Sequence, residues 1–289
     1  MRSLLFVPGD SPRKMEKGMT SGADALIVDL EDSVGADAKA GARLTAAAFL
    51  EDAIPQAARP RIYVRVNALD TGLTDDDLDA VVGAKPDGIL LPKAEGGASV
   101  THLDAKITAR EARAGLEEGH LKILALATET AAALFQAGTY GGSSPRLEGL
   151  TWGAEDLSAA LGTETNRDAH GEFTEPFRFA RTLCIAGAAA AGIPAMDTVY
   201  VDFRNDAGLR RECEEARRDG FTSKFAIHPA QVAIINDVFT PSAEAIADAE
   251  GVVAAFAAQP GAGVVAIGGV MYDVPHLKRA QRLLARARR

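Results

Sequence analysis

Eight short apolar runs, each followed by a helix-like stretch, constrain this chain more than any other feature. The runs are Ser3–Pro8, Ala25–Leu30, Arg61–Val66, Gly88–Pro92, Lys122–Ala127, Leu147–Trp152, Pro194–Val199 and Lys224–His228. Most are near-continuous rather than alternating, the pattern of strands buried on both faces of a parallel sheet. Between them lie stretches rich in Ala, Leu, Glu, Arg and Lys: Ser11–Ser21, Ala36–Asp52, Asp75–Val82, Ser99–Leu116, Thr130–Ala137, Glu175–Ala191, Asn205–Arg218 and Pro229–Phe239. Eight βα units in succession predict an α/β fold, a TIM-type (β/α)8 barrel over residues 1–240. An open doubly wound sheet is the rival arrangement. Residues 241–289 form a C-terminal extension. Within it Ser242–Gln259 reads as a helix with Ser242 as N-cap, and the remainder as a short hairpin or extended piece followed by a basic helix. Being extra to the barrel, this extension needs a role, and covering a site or reaching a neighbouring subunit are the two obvious ones.

Composition narrows the function classes. A net charge of −9 argues against wholesale nucleic-acid binding, which needs a basic face. No apolar run approaches the roughly 18 residues that span a membrane, and the apolar segment after Met1 is too short for a signal peptide. Cys184 and Cys213 have no metal-ligand spacing and read as free thiols of a cytoplasmic protein. Phosphate-loop, nucleophile-elbow and H-E-x-x-H motifs are absent, and "GAGVVA" at 261–266 follows a helix rather than a strand, so it is discounted as a dinucleotide site.

A barrel places its chemistry just past the C-terminal ends of its strands. The charged residues obey that demand. Asp29, Glu31 and Asp32 follow the second run, Arg65 and Asn67 close the third, and Lys93 and Glu95 follow the fourth. Glu129 follows the fifth, Glu155 and Asp156 the sixth, Asp202 trails the seventh and His228 ends the eighth. Helix capping explains an acid at any one of these ends, but less well the whole set. Several carboxylates without His or Cys partners favour a hard cation, and Mg²⁺ typically takes one or two carboxylates plus water and substrate oxygens. Glu129 and either Glu155 or Asp156 come from adjacent strand ends and are expected to share one ion. Asp29, Glu31 and Asp32 would then hydrogen-bond the ion's waters. Arg65, inside an apolar strand, needs an anionic partner, either a substrate carboxylate held bidentately or one of these acids. Arg13, Lys14 and Lys17 form a basic cluster near the first strand end, or simply a solvated helix face.

The segments "LLFVPGDSPRKMEKG", "GADALIVDLEDSV", "YVRVNA", "GILLPKAE", "ALATETAAAL", "LTWGAEDLSAALG", "KFAIHPAQV" and "GVMYDVPHLKRAQRLL" together resemble the citrate lyase β-subunit (CitE-like) family, which includes malyl-CoA and citramalyl-CoA lyases. The resemblance runs from the first strand to the last helix. It implies a Mg²⁺-dependent barrel lyase, trimeric or hexameric, that cleaves or forms a carbon–carbon bond in a 3-hydroxyacyl thioester. Its partners are a 2-oxoacid and an acyl-CoA or acyl-carrier thioester. By resemblance Glu129 and Asp156 hold the metal, and Arg65 grips the oxoacid carboxylate. Gly153, Ala154 and Asp29 fall at the substrate, with Glu31 and Asp32 among the catalytic group. Asp273 falls on a lid as the acid or base, and its neighbours Val270, Met271, Val274 and Pro275 are expected to raise its pKa. Arg13, Lys17 and His228 fall where the thioester carrier binds. Tyr272-Asp273 departs from the Ile-Asp common in the family but keeps the aspartate. A citryl thioester is the expected substrate; malyl- or citramalyl-CoA cleavage, malyl-CoA hydrolysis and a non-catalytic oxoacid-binding subunit are the alternatives.

Overall fold

The structure, a computed structural model, describes residues 1–287. It divides into two compact units, Met1–Asn236 and Asp237–Arg289. The first is built on eight parallel strands: β1 (Ser3–Pro8), β2 (Ala25–Asp29), β3 (Arg61–Arg65), β4 (Gly88–Leu91), β5 (Lys122–Leu126), β6 (Leu147–Thr151), β7 (Met196–Asp197) and β8 (Ser223–Ala226). Their order is β6-β5-β4-β3-β2-β1-β8-β7, every neighbour parallel. The ring closes between β6 and β7 by a narrow contact: the Leu150 N–H donates to the Pro194 carbonyl at 3.1 Å, and Leu150 bridges Ala195. The barrel reading therefore holds over the open sheet.

The helices α1 (Pro12–Met19), α2 (Lys39–Ala53), α3 (Thr74–Val81), α4 (Gly97–Ala114), α5 (Ala131–Leu134), α6 (Ala154–Leu161), α7 (Glu175–Ala191), α8 (Asp206–Asp219) and α9 (Pro229–Phe239) follow the strands. Helix α6 is not among the helices the sequence predicts; its stretch AEDLSAAL carries Glu155 and Asp156, read as candidate metal ligands. The barrel interior is filled by Leu4, Ile27, Tyr63, Leu90, Leu124, Met196 and Phe225, drawn from seven strands. The remaining strand, β6, offers Gly149, where an added Cβ would lie 2.4 Å from the Met196 Cε. The small residue there is what lets the large ones of β5 and β7 meet across the interior.

The second unit holds α10 (Ala243–Ala257), capped by Ser242 as expected, then the antiparallel hairpin β9 (Val264–Ile267) and β10 (Val270–Asp273), then α11 (Val274–Ala287). Its own small core comprises Ala249, Val252, Phe256, Val265 and Ala280. Among the described residues, no helix is long and apolar enough to cross a membrane.

Candidate active site

Each polar residue at the barrel mouth is delivered by a strand whose apolar body is locked in the ring. At the end of β2 the chain turns sharply. The Asp29 carboxylate accepts the backbone N–H groups of Glu31 at 2.9 Å and Ser33 at 3.0 Å, folding the acidic stretch over itself. The Arg65 guanidinium grips the same carboxylate with Nε and Nη2, both at 2.7 Å. Of the two partners open to Arg65, a substrate carboxylate or a rim acid, Asp29 is the acid that holds it with both oxygens. Burial disfavours Asp29 ionisation, but Arg65 and the two backbone donors outweigh it and hold its pKa below the ordinary carboxylate value. Both Asp29 oxygens are thus engaged by Arg65 and by this turn.

The remaining Arg65 nitrogen, Nη1, lies 2.9 Å from Glu31 Oε2 and 3.4 Å from Asp32 Oδ2. Glu31 is only 5 % exposed, and burial raises its pKa more than Arg65 and Lys93 lower it. Asp32 is exposed at the rim. Three acids in four residues are tolerable here because a guanidinium and an ammonium are interleaved among them.

The ammonium is Lys93, which the sequence placed at a strand end but assigned no role. Its Nζ donates to Glu31 Oε1 at 2.6 Å and lies 3.1 Å from Asp156 Oδ1. Its backbone N–H donates to Glu129 Oε2 at 2.7 Å. To make both contacts Lys93 adopts φ +48°, a left-handed conformation that costs a residue with a Cβ about 1 kcal/mol. The neighbouring carboxylates outweigh burial and raise the Lys93 pKa.

Glu129 follows β5 and is 2 % exposed. Burial, then the Asp156 and Glu31 charges, push its pKa up to about 8. Asp156 sits in the first turn of α6, where unpaired backbone N–H groups favour a carboxylate. Gly153, at the N-cap of α6, leaves space beside Glu129: a Cβ there would stand 3.1 Å from Glu129 Oε1. Ala154 is buried behind it. Glu155, the other candidate of that loop, instead accepts the Asn166 side-chain amide at 2.8 Å.

The donor chemistry fits a hard divalent cation. Glu129 and Asp156 offer oxygen only, one of them is buried with no guanidinium of its own, and the space at Gly153 adjoins it. Among the described residues no set of three or more His, Cys, Asp or Glu forms a closed cage. An open site with two protein carboxylates, leaving positions to water and substrate, is what Mg²⁺ takes and what a structural metal does not.

Asp29, Glu31, Asp32, Arg65, Glu129 and Asp156 are therefore brought together. Other predicted rim residues are used structurally: Asn67 donates to Leu30 and Asp77, and Glu95 accepts from Thr130. Arg13 and Lys17 are exposed on α1, and His228 is exposed after β8, stacked on Phe203 at 5.0 Å. Because β1 pairs with β8, these loops are neighbours around the ring.

Asp273 ends β10 in the second unit. Its expected apolar setting is a correction: Val270, Met271 and Val274 turn outward and are exposed, and the Asp273 side chain is 49 % exposed. His276 Nδ1 lies 2.5 Å from Asp273 Oδ1, and this hydrogen bond holds the Asp273 pKa below its ordinary value rather than above it.

An eight-stranded barrel with an acid-lined mouth, two embedded cations and a carboxylate pair on adjacent loops defines a barrel enzyme of the open-metal-site class. The chain belongs to the HpcH/HpaI aldolase/citrate lyase family, whose pattern it matches over residues 2–229. It is 35 % identical to the citrate lyase subunit beta of Haemophilus influenzae, covering 99 % of this chain and 97 % of that one. It is 38 % identical to a (3S)-malyl-CoA thioesterase of Cereibacter sphaeroides, covering 99 % and 94 % respectively. The crystal structure of CitE from Mycobacterium tuberculosis, in complex with magnesium, acetoacetate and coenzyme A, superposes with a TM-score of 0.80 at 32 % identity, covering 100 % of this chain and 98 % of that one.

Proposed function

We propose that this chain is a Mg²⁺-dependent carbon–carbon lyase that cleaves a citryl-type 3-hydroxyacyl thioester to an acetyl thioester and a 2-oxoacid such as oxaloacetate. The observation that carries this reading is the Glu129–Asp156 pair set beside Arg65 and Lys93. Two oxygen donors open to a cation adjoin two fixed cations suited to a carboxylate-bearing substrate.

Glu129 and Asp156 hold the Mg²⁺, which when bound supplies Lewis-acid polarisation of the substrate's hydroxyl and carboxylate oxygens. Arg65 orients the substrate carboxylate through Nη1, the edge that Glu31 and Asp32 share, while Asp29 fixes the other edge. Gly153 and Ala154 leave the floor beside Glu129 open for the oxoacid. Lys93 bridges Glu31 and Asp156, offsetting their mutual repulsion, and adds positive charge where the alkoxide develops. Asp273 exchanges the proton at the α-carbon of the acetyl thioester. Held ionised by His276, it is set as the base of the condensation direction; in cleavage it must first be protonated, then deliver that proton to the enolate carbon. Arg13, Lys17 and His228 meet the CoA or acyl-carrier portion. The M. tuberculosis relative, with magnesium, acetoacetate and coenzyme A bound, supports this division of ligands. A homotrimer or hexamer in the cytoplasm, with residues 241–289 as helix and lid, completes the proposal.

The 38 % identity to a (3S)-malyl-CoA thioesterase favours a second reading on the same site, malyl- or citramalyl-CoA cleavage or malyl-CoA hydrolysis. The test is an assay of the purified protein with Mg²⁺ on citryl-CoA, (S)-malyl-CoA and (S)-citramalyl-CoA in parallel, following acetyl-CoA and free CoA separately. Acetyl-CoA from citryl-CoA, lost on chelation, is the expected result. Free CoA from malyl-CoA selects hydrolysis. Silence on all three, with no Mg²⁺-dependent oxaloacetate binding, overturns the proposal.

A further inference from the structure

Asp273 stands immediately before α11, and its Oδ1 accepts the backbone N–H of His276 at 3.3 Å, the bonding pattern of a helix cap. The same oxygen lies 2.5 Å from His276 Nδ1. Two atoms that each carry a lone pair do not stand this close with nothing between them, so the pair holds a proton. With the proton on nitrogen, Nδ1 donates to a carboxylate. With the proton on oxygen, Nδ1 becomes an acceptor, and the backbone N–H of Asp273 also lies 3.3 Å from it. Both positions of the proton are therefore provided with hydrogen bonds.

The imidazole is braced. The Tyr272 ring meets it edge-on at 5.4 Å, and Tyr272 in turn pairs with Val265 across the hairpin and packs on the core of this unit. The far ends of the pair are open. His276 Nε2 and Asp273 Oδ2 make no hydrogen bond among the described residues, and the imidazole is 38 % exposed. A proton thus has a continuous route from water through Nε2 and Nδ1 to the carboxyl group.

We propose that His276 is a positioning residue of the lyase reaction, which aims the Asp273 carboxylate and exchanges its proton with water. This rests on the reading of Asp273 as the group that exchanges the α-carbon proton. In cleavage, water protonates Nε2, and the Nδ1 proton passes to Asp273: an N–H bond breaks, an O–H bond forms, and Nδ1 keeps the electron pair. A half-turn of the carboxyl group presents the O–H to the enolate. The enolate's electron pair takes the proton to form the C–H bond, and Asp273 is left as carboxylate. Condensation runs the same transfers backwards, and no oxidant or reductant is needed. His276 thereby supplies the protonation that cleavage requires of an aspartate otherwise held ionised.

The experiment compares full-length wild type, His276→Ala, His276→Gln and Asp273→Asn, with Mg²⁺, on the thioester that the wild type cleaves. His276→Gln keeps a donor for the carboxylate but cannot pass a proton on. In both His276 variants kcat should fall by about 10²-fold while KM changes by less than about threefold. Imidazole added to the solution should restore turnover to His276→Ala but not to Asp273→Asn. Independently of turnover, proton NMR of the wild type should show a strongly deshielded Nδ1 proton, lost in His276→Ala and shifted upfield in Asp273→Asn. Should His276→Ala not fold, His276→Gln and this resonance carry the test. His276→Gln as fast as wild type, no rescue by imidazole, or no such resonance each overturns the proposal. Turnover lost in Asp273→Asn but untouched in both His276 variants sinks the relay alone. A wild type that cleaves none of the thioesters, with the resonance present, sinks the lyase reading and the relay with it.

Discussion

With Glu129 as the proposed metal ligand, metal binding is expected to be a proton-releasing event. Burial and the adjacent Asp156 and Glu31 charges lift its carboxyl to about 8, so near neutral pH it is mostly protonated until a cation displaces the proton. Near pH 7 the predicted release is about 0.9 proton per Mg²⁺, and the displaced proton weakens binding about tenfold, or about 1.4 kcal/mol. The dissociation constant should fall nearly tenfold per pH unit as pH rises towards about 8 and flatten beyond it. Calorimetry in two buffers of different ionisation enthalpy measures the release directly. Stability of the metal-free protein carries the same signature. The folded state keeps a proton on Glu129 that the unfolded chain gives up, so stability should fall as pH rises from about 4.5 to about 8. Glu129→Gln should flatten that slope. A Mg²⁺ affinity independent of pH from about 6 to 8, with no buffer-dependent heat, would refute the reasoning.

Three further perturbations separate site, proton transfer and scaffold. Gly153→Ala puts a methyl 3.1 Å from Glu129 Oε1, so Mg²⁺ affinity should drop by about 10–100-fold, measured by titration, while the melting temperature changes little. Asp273→Asn keeps an acceptor for the His276 N–H, so stability and Mg²⁺ binding should be spared while turnover falls by about 10²–10⁴; full activity would remove Asp273 from the mechanism. Lys224→Met strips the buried ammonium that Asp197 and Glu212 share at 2.6 and 2.7 Å, and should cost about 3–5 kcal/mol, read as a lower urea midpoint; an unchanged midpoint would mean the two acids find other partners.

Strands were more legible than the site because burial on both faces writes itself into every position. β2 is four apolar residues ending in Asp29, and β3 sets three buried residues between Arg61 and Arg65. β7 was read as Pro194–Val199 yet pairs with β8 only over Met196–Asp197, since the Asp197 carboxylate is held by Trp152 and Lys224 and the seam is closed from Pro194 and Ala195. Helix α6 is missing from the helices the sequence predicts although its AEDLSAAL stretch is rich in helix formers, because its acids read first as site residues. Lys93 escaped for a different reason. Its role depends on a backbone conformation and on meeting Glu31, 62 residues away, and neither leaves a local trace. Asp273 misled because apolar neighbours in sequence need not be apolar surroundings: on a hairpin they turn outward, and His276 three residues on decides its charge.

Asp29, Glu31 and Asp32 show what such a rim demands physically. Three carboxylates in four residues would repel one another on any open loop. The barrel turns them onto cations delivered by other strands: Asp29 onto Arg65 of β3, and Glu31 onto both Arg65 and Lys93 beyond β4. Lys93 then reaches the next acids around the ring, contacting Asp156 through Nζ and Glu129 through its backbone N–H. Two cations therefore stand between two groups of acids, and of Asp29, Glu31, Asp32, Glu129 and Asp156 the one without a side-chain ion pair among the described residues is Glu129. That is the position at which an added cation meets least competing positive charge, at the cost of displacing the proton held there by burial and by its neighbours. The proposed placing of the metal at Glu129 thus rests on which acid the scaffold leaves without a cation, a property of the ring rather than of any single motif.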